Sequence, residues 1–405
     1  MKYSAQEVMQ YVREEDVKFI RLAFCDLYGK QKNISVMPQE LPRAFAQGIA
    51  FDASAIRGFG DEAHSDLFLH PDPSTLAILP WRPETGRVVR MFCNITDSEG
   101  NPFAQDTRGI LQQAIAEAEK RGITFSFGPE LEFYLFRLDD AGNPNRIPYD
   151  NAGYMDIAPE DKGENVRREI CLTLEQMGIQ PESSHHEEGP GQNEIDFRYS
   201  DALTAADNAM TFRTVVRTVA GRNGLWADFS PKPLQDRPGN GFHINFSAVA
   251  NDGKDVHPQL LAGLLRHIRE MTVFLNPTAD SYKRFGSNKA PLYLSWSREN
   301  RSQLIRVPAS VYEQERLELR SPDPTANPYL AFALMIYAGL SGIEEKMTPP
   351  EPADFNFFKA SPEILKQYQK LPASLEEAAS VMRASRWIGE RIPKGVVQLY
   401  SDGIK

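Results

Sequence analysis

Four stretches repeat their apolar residues at helical spacing, near 108–121, 164–177, 201–223 and 257–274, and shorter strand-like runs lie before and between them. Val17–Phe24 and Arg87–Ile95 read as strands of a small α+β unit, with one helix start between them. The segment from Asp97 to Thr107 is rich in Gly, Asn, Pro and Asp, and it predicts a boundary between a unit at 1–100 and a larger one at 101–405. Strand and helix do not alternate as a repeated unit there, so the larger domain is expected to pair its strands mainly antiparallel. After a Pro-, Lys- and Glu-rich stretch from Thr348 to Ala373, a polar helix is expected to close the chain.

Acids interrupt the strand pattern at regular places. In Gly128-Pro129-Glu130-Leu131-Glu132-Phe133, a period of two puts Glu130 and Glu132 on one face. Around a Gly-Pro-Gly turn, His185-His186-Glu187 and Glu194 bring further donors, and His243 and Glu318 follow. Any one of these could be a solvated carboxylate at a strand edge, and together they could be ion-paired. Acids embedded in apolar strands are costly to bury without a cation or an arginine partner, which favours a two-metal site. An oxygen-rich donor set with few histidines suits magnesium or manganese better than zinc.

Arginines accompany the acids. Arg301 and Arg306 lie near a strand in Asn300-Arg301-Ser302-Gln303-Leu304-Ile305-Arg306-Val307-Pro308, and Arg320 stands two residues from Glu318. Guanidinium groups bind carboxylate or phosphate at two points, and a phosphoryl group in transfer needs such positive charge; structural ion pairs are the plain alternative. There is no Gly-x-x-x-x-Gly-Lys-Ser/Thr loop to hold a nucleotide.

Composition narrows the class only slightly. With 405 residues and 41% hydrophobic positions, the chain can bury one large core or two domains. A formal charge of −10 argues against nucleic acid or an anionic membrane as partner. No apolar run reaches membrane-spanning length, the first residues lack a signal-peptide pattern, and the expected location is cytoplasmic. Cys25, Cys93 and Cys171 are widely separated and are expected to be small buried hydrophobes.

Taken in order, several motifs resemble the bacterial type I form of the glutamine synthetase family. They are Phe51-Asp52-Ala53-Ser54, the Glu130/Glu132 strand, His185 through Glu194, Gly239-Asn240-Gly241-Phe242-His243, Asn276-Pro277-Thr278, Asn300-Arg301-Ser302, and Arg316 through Tyr329. The resemblance implies a β-grasp-like N-terminal domain, a catalytic domain on a curved antiparallel sheet, and homo-oligomeric rings with active sites at subunit interfaces. It implies ATP and two or more Mg2+ or Mn2+ ions as cofactors. One ion would be held by Glu132, Glu187 and Glu194, the other by Glu130, His243 and Glu318, leaving His185 and His186 as neighbours. Arg284, Gly239 and Tyr154 would bind glutamate, Arg301 and Arg320 the transferring phosphoryl group, and Ser247 and Arg306 the nucleotide. Asp52 of a neighbouring subunit, helped by Tyr154 and Glu187, would bind and deprotonate ammonium; the residues alone also read as a turn at Asp52.

The chain departs from the family pattern in places. Gly286-Ser287-Asn288-Lys289-Ala290-Pro291 puts Lys289 where the family's flap carries Glu, and the flap is one residue shorter. Pro238 replaces an Asn before Gly239, Ala55 replaces a Ser, and the C-terminal tail is abbreviated. Glutamate–ammonia ligation is therefore the first expectation. A γ-glutamyl amide ligase using an organic primary amine or polyamine is the second, and a non-catalytic relative, which would be expected to lose metal ligands, is the third.

Overall fold

The computed structural model describes residues 3–309 and 315–403. Helix α1 (Ala5–Glu14) opens on a reciprocal cap, in which Ser4 accepts from the Glu7 amide and Glu7 reaches back to the Ser4 amide. The N-terminal sheet follows: β1 (Val17–Cys25), β2 (Gln31–Val36), β3 (Ile49–Asp52), β4 (Asp66–Pro71), β5 (Ala77–Ile78) and β6 (Arg87–Thr96), with α2 (Leu41–Gln47) between β2 and β3. Its order is β2-β1-β6-β4-β3, with β5 on β6. The β1–β6 pair is parallel and the others antiparallel.

Helix α3 (Thr107–Glu119) starts where Asp106 accepts from the Arg108 amide. The second sheet is built on the long strand β7 (Ile123–Leu138). It is joined by β8 (Pro144–Pro148), β9 (Pro181–His186), β10 (Gln192–Phe197), β11 (Ser200–Asp201), β12 (Leu225–Asp228), β13 (Phe242–Ala250), β14 (Trp296–Arg298), β15 (Ile305–Val307) and β16 (Leu317–Leu319). The main path runs β14-β15-β16-β13-β7-β10-β9, and β14–β15 is its parallel pair, so the sheet is mixed but mainly antiparallel, as expected.

Helices α4 (Glu164–Gln176), α5 (Ala202–Arg222) and α6 (His257–Leu275) lie within two residues of the ranges predicted from periodicity. Helix α7 (Pro328–Glu344) is apolar on every side and accordingly buried, with Phe332 stacked 4.3 Å from Phe127 of β7. It meets α6 at backbone distance: a β carbon on Gly263 would lie 2.1 Å from the Ala338 carbonyl oxygen, and one on Gly342 1.9 Å from that of Gln259. Only glycine fits there. The end of the chain forms α8 (Pro362–Leu365), α9 (Leu375–Ala384), α10 (Arg386–Arg391) and α11 (Lys394–Ser401). The expected closing helix is thus three short helices, each burying part of one face, including Met382, Ile388 and Tyr400. Cys25 and Cys93 are buried and Cys171 is half-buried.

Buried polar contacts tie the two sheets together. Arg108 binds Asp72 at 2.8 Å and Asn94 at 2.7 Å on the N-terminal side, and Asp207 of α5 at 3.0 Å on the other. Asn327, which caps α7, donates to the Asp26 and Leu27 carbonyls, and the Tyr400 hydroxyl also donates to Leu27. Among the described residues no helix is long and apolar enough to cross a membrane.

Candidate active site

Strand register assembles the acids. On β7, β10 and β13, Glu132 lies opposite Glu194, Glu130 opposite Asp196 on one side and opposite His243 on the other. His185 of β9 extends the first row beside Glu194, and Glu318 of β16 pairs with Asn245, two residues beyond His243. Because side chains alternate between faces, these residues project from one face of the sheet. The other face carries Phe127, Leu131, Phe133 and Ile195 into the core.

Glu130, Glu132, His185, Glu194, Asp196 and His243 line a cavity of about 1440 Å³. At one end His243 Nδ1 is 3.5 Å from Glu130 and 3.8 Å from Glu318. At the other, His185 Nε2 is 3.0 Å from Glu187 and 3.7 Å from Glu194. Glu130, Glu194 and His243 form one constellation able to share an ion, and His185, Glu187 and Glu194 form another. His185, set aside from the ligand set by the resemblance, therefore stands within reach of one site. His186 is fully buried with its nitrogens 2.9 Å from Asp150 and 2.6 Å from the Glu187 carbonyl, which makes it a positioning residue for the following turn.

The electrostatics show what the cluster lacks. Burial raises Glu194 well above the usual carboxylate range, and the charges of Asp196, Glu132, Glu130 and Glu187 raise it further. Burial and Glu130 push Asp196 up to about 6. Glu132 is also raised, by burial and then by Glu187, despite the opposing charge of His243 and a 2.7 Å bond from the Gly241 amide. Burial opposes the charge on Glu187, yet the His185 bond, the Glu188 amide and Lys289 together lower it. Such crowded carboxylates carry uncompensated negative charge, and their oxygen-rich set fits hard divalent cations.

Arginines compensate the opposite side. Glu318 accepts from Arg306 at 2.7 Å and also from Arg320. Although burial opposes it, Arg320, His243 and Arg306 lower Glu318 to about 2. Glu318 is buried behind these arginines and His243, whereas Arg301, Arg306, Arg316 and Arg320 line the cavity itself. Arg284 is held by the Ser321 and Pro322 carbonyls beside Gly239, and both also line the cavity. Gln192 links Glu132, the Gly239 carbonyl and Asn240 at 3.2 to 3.3 Å.

At the mouth, Tyr154 stands edge-on to His185, with ring centres 5.4 Å apart. Lys289 lies over its ring at 5.6 Å and pairs with Glu188. Asn288 and Lys289 both have left-handed backbone, φ 46° and 64°, a conformation disfavoured for side chains of this size and sustained by surrounding contacts. The charge that Lys289 brings to the flap is thus met by a carboxylate.

Ser247 lies four residues beyond His243 on the same face of β13 but outside the cavity lining. Asp52 lies outside it too: it sits exposed at the end of β3, where its carboxylate accepts from the Ser54 amide at 3.0 Å and hydroxyl at 2.6 Å. That is the turn geometry its local sequence suggests. Sequence reasoning counted Glu188 and Asp196 only among the acids around the Gly-Pro-Gly turn and gave no individual role to them or to Arg167, Arg168 or Arg316, all of which line the cavity. Asp196 alone had a usable signal, sharing the alternation of Glu194-Ile195-Asp196.

Comparison with known proteins agrees with this geometry. Residues 16–98 match the family model "Glutamine synthetase, beta-Grasp domain", and residues 104–403 match "Glutamine synthetase, catalytic domain". The chain is 46% identical to a glutamine synthetase of Methanosarcina mazei over 98% of its length and 92% of the relative's. It is 42% identical to that of Clostridium saccharobutylicum, over 96% and 93%. Among solved structures, a GmaS/ADP complex superposes with a TM-score of 0.88 at 28% identity, covering all of this chain and 95% of the other. A Plasmodium falciparum glutamine synthetase shares the fold, with a TM-score of 0.86 at 23% identity over 99% and 95%. A β-grasp domain followed by a catalytic domain on a curled sheet, with the acids in register along it, places the chain in the glutamine synthetase family.

Proposed function

We propose that the chain is a glutamate–ammonia ligase that makes glutamine with ATP through γ-glutamyl phosphate. The observation that carries this reading is the division of one cavity into a carboxylate-rich end and an arginine-rich wall, in a chain 46% identical to a named glutamine synthetase. Glu132, Glu187 and Glu194 would hold one magnesium or manganese ion, and Glu130, His243 and Glu318 a second. When bound, the two cations supply positive charge to the phosphate oxygens of ATP and to glutamate.

The remaining work falls to side chains. Arg284, with the Gly239 backbone and Tyr154, would orient glutamate so that its γ-carboxylate oxygen attacks the terminal phosphorus and ADP departs. Arg301 and Arg320 would bear on the transferring oxygens, and Arg306 and Ser247 on the nucleotide; the ADP in the GmaS complex supports a nucleotide here. Asp52 of a neighbouring subunit, with Glu187 and Tyr154, would bind ammonium and take its proton. Ammonia then adds to the acyl carbon and phosphate leaves. Such a shared site requires an oligomer, and a head-to-tail contact that closes gives a ring. A cytoplasmic location belongs to the same reading.

A second reading, with an organic primary amine or polyamine as acceptor, is favoured by the altered flap and by Pro238 in place of Asn, while the charge of Lys289 disfavours a polycationic acceptor. Phosphate release with ATP, magnesium and glutamate tests both, comparing ammonium with methylamine, ethanolamine, putrescine and spermidine. Turnover best with ammonium is the expected result. Turnover confined to an organic amine establishes the second reading, and no turnover with any acceptor overturns both.

A further inference from the structure

A second cavity, of about 530 Å³, lies on the seam between the N-terminal sheet and the catalytic domain, away from the acids described above. It is walled by Tyr11 of α1, Leu76 and Ile78 around β5, Ile179 after α4, and Leu203 of α5. Its size falls within the range of small-molecule sites, and polar groups such as Ser74, Asn208 and Thr211 share its lining with the apolar ones.

The polar group that stands out is Arg90. It is 94% buried by its 6% exposure, on strand β6 next to β5. Among the described residues, its guanidinium has one hydrogen-bond partner, the Thr211 hydroxyl at 2.9 Å, and it lies 4.0 Å over the Phe92 ring. The carboxylates of the same cavity are committed elsewhere. Asp207 accepts two bonds from Arg108 and one from the Tyr329 hydroxyl at 2.6 Å, and Asp201 caps α5 through the Thr204 amide and hydroxyl. Burial lowers Arg90 to about 10, so it stays charged at neutral pH. The charge of Asp207 acts on Arg90 from nearby, but no carboxylate among the described residues bonds to it, and a guanidinium that offers five donors in a planar fork keeps most of that capacity open beyond its bond to Thr211.

We infer that this cavity is a binding site for a small monocarboxylate with an apolar body, its carboxylate on Arg90 and its apolar part against Leu76, Ile78 and Leu203. The carboxylate would take the free edge of the guanidinium and the apolar groups would leave water. The site belongs to neither the glutamate nor the nucleotide position, and its occupant would bridge the two domains.

The test is ligand-detected NMR and calorimetry on the full chain with phenylacetate, 3-phenylpropionate and hexanoate, each against its neutral amide, in saturating glutamate and ADP. The expected result is binding of at least one acid and tenfold or weaker binding of its amide. Arg90→Met should weaken that acid at least tenfold and leave the amide unchanged. Should that variant fold poorly, Leu203→Trp keeps Arg90 and fills the cavity, and it should abolish binding. Failure of all three acids to bind, equal binding of acid and amide, or unchanged binding in Leu203→Trp would each overturn the assignment. None of these outcomes depends on the ligase reaction.

Discussion

Lys289 and Glu188 close an ion pair over the ring of Tyr154, at the mouth of the carboxylate-lined cavity. Both side chains are partly exposed, so the pair contributes no more than about 1 kcal/mol. Its larger consequence is electrostatic, because it removes a free positive charge from the path of a cationic acceptor. Lys289→Ala leaves Glu188 unpaired, and the KM for ammonium should fall by about fivefold, the equivalent of about 1 kcal/mol. Initial rates against ammonium concentration check this, and a KM that rises would mean that Lys289 acts by holding the flap.

Glu194 is the carboxylate most strongly opposed by its neighbours. Glu194→Gln should therefore raise the melting temperature of the protein in EDTA, by about 1 °C for each kcal/mol of repulsion removed in a chain of 405 residues. The same variant should lose most of the rise that magnesium gives the wild type. Thermal melts with EDTA and with magnesium separate the two effects, and a variant less stable than wild type in both would refute the like-charge account.

The acids also set the pH dependence. Asp196, raised from 3.8 to about 6, keeps in the folded state a proton that the unfolded chain gives up, so its charge costs stability as pH rises through that window. Glu318 is depressed from 4.5 to about 2, so its contribution is present above 4.5 and is lost as pH falls toward 2. The stabilisation by magnesium should consequently grow between pH 5 and pH 7, as Asp196 comes to need a counter-charge. Melting curves across that range are the check; a magnesium effect that shrinks with pH contradicts it.

If Asp52 serves a neighbour's cavity, Asp52→Ala and Glu130→Ala subunits should complement. Each homo-oligomer is expected to be inactive in amide synthesis, with Asp52→Ala still forming γ-glutamyl phosphate. Co-assembled at equal ratio they should regain about a quarter of wild-type activity, since half the cavities are intact and half of the neighbours are. Co-expression with two affinity tags measures it, and an inactive mixed oligomer would show that Asp52 does not serve a neighbour's cavity.

Arg108 joins both sheets through Asp72, Asn94 and Asp207. Arg108→Met leaves the buried Asp207 and the half-buried Asp72 without a cation and should lower stability by about 3–5 kcal/mol in urea unfolding. A loss below about 1 kcal/mol would show that the interface tolerates their charge.

The sequence by itself determined the helices with strong periodicity, the pairing of Glu130 with Glu132 on one strand face, and the order of motifs that marks the family. Those depend on local spacing, which the period of a strand or helix turns directly into a face. Which residue stands opposite which was decided by register: the alignment of β10 and β13 on β7 sets Glu194 against Glu132 and His243 against Glu130, across gaps of 62 and 113 positions. No local signal carries that information. The same holds for the burial of Arg90, the triple engagement of Arg108 and the pairing of Lys289 with Glu188. A single charge reads alike in any sequence, and only the packing around it fixes whether it meets water, a partner or an open cavity.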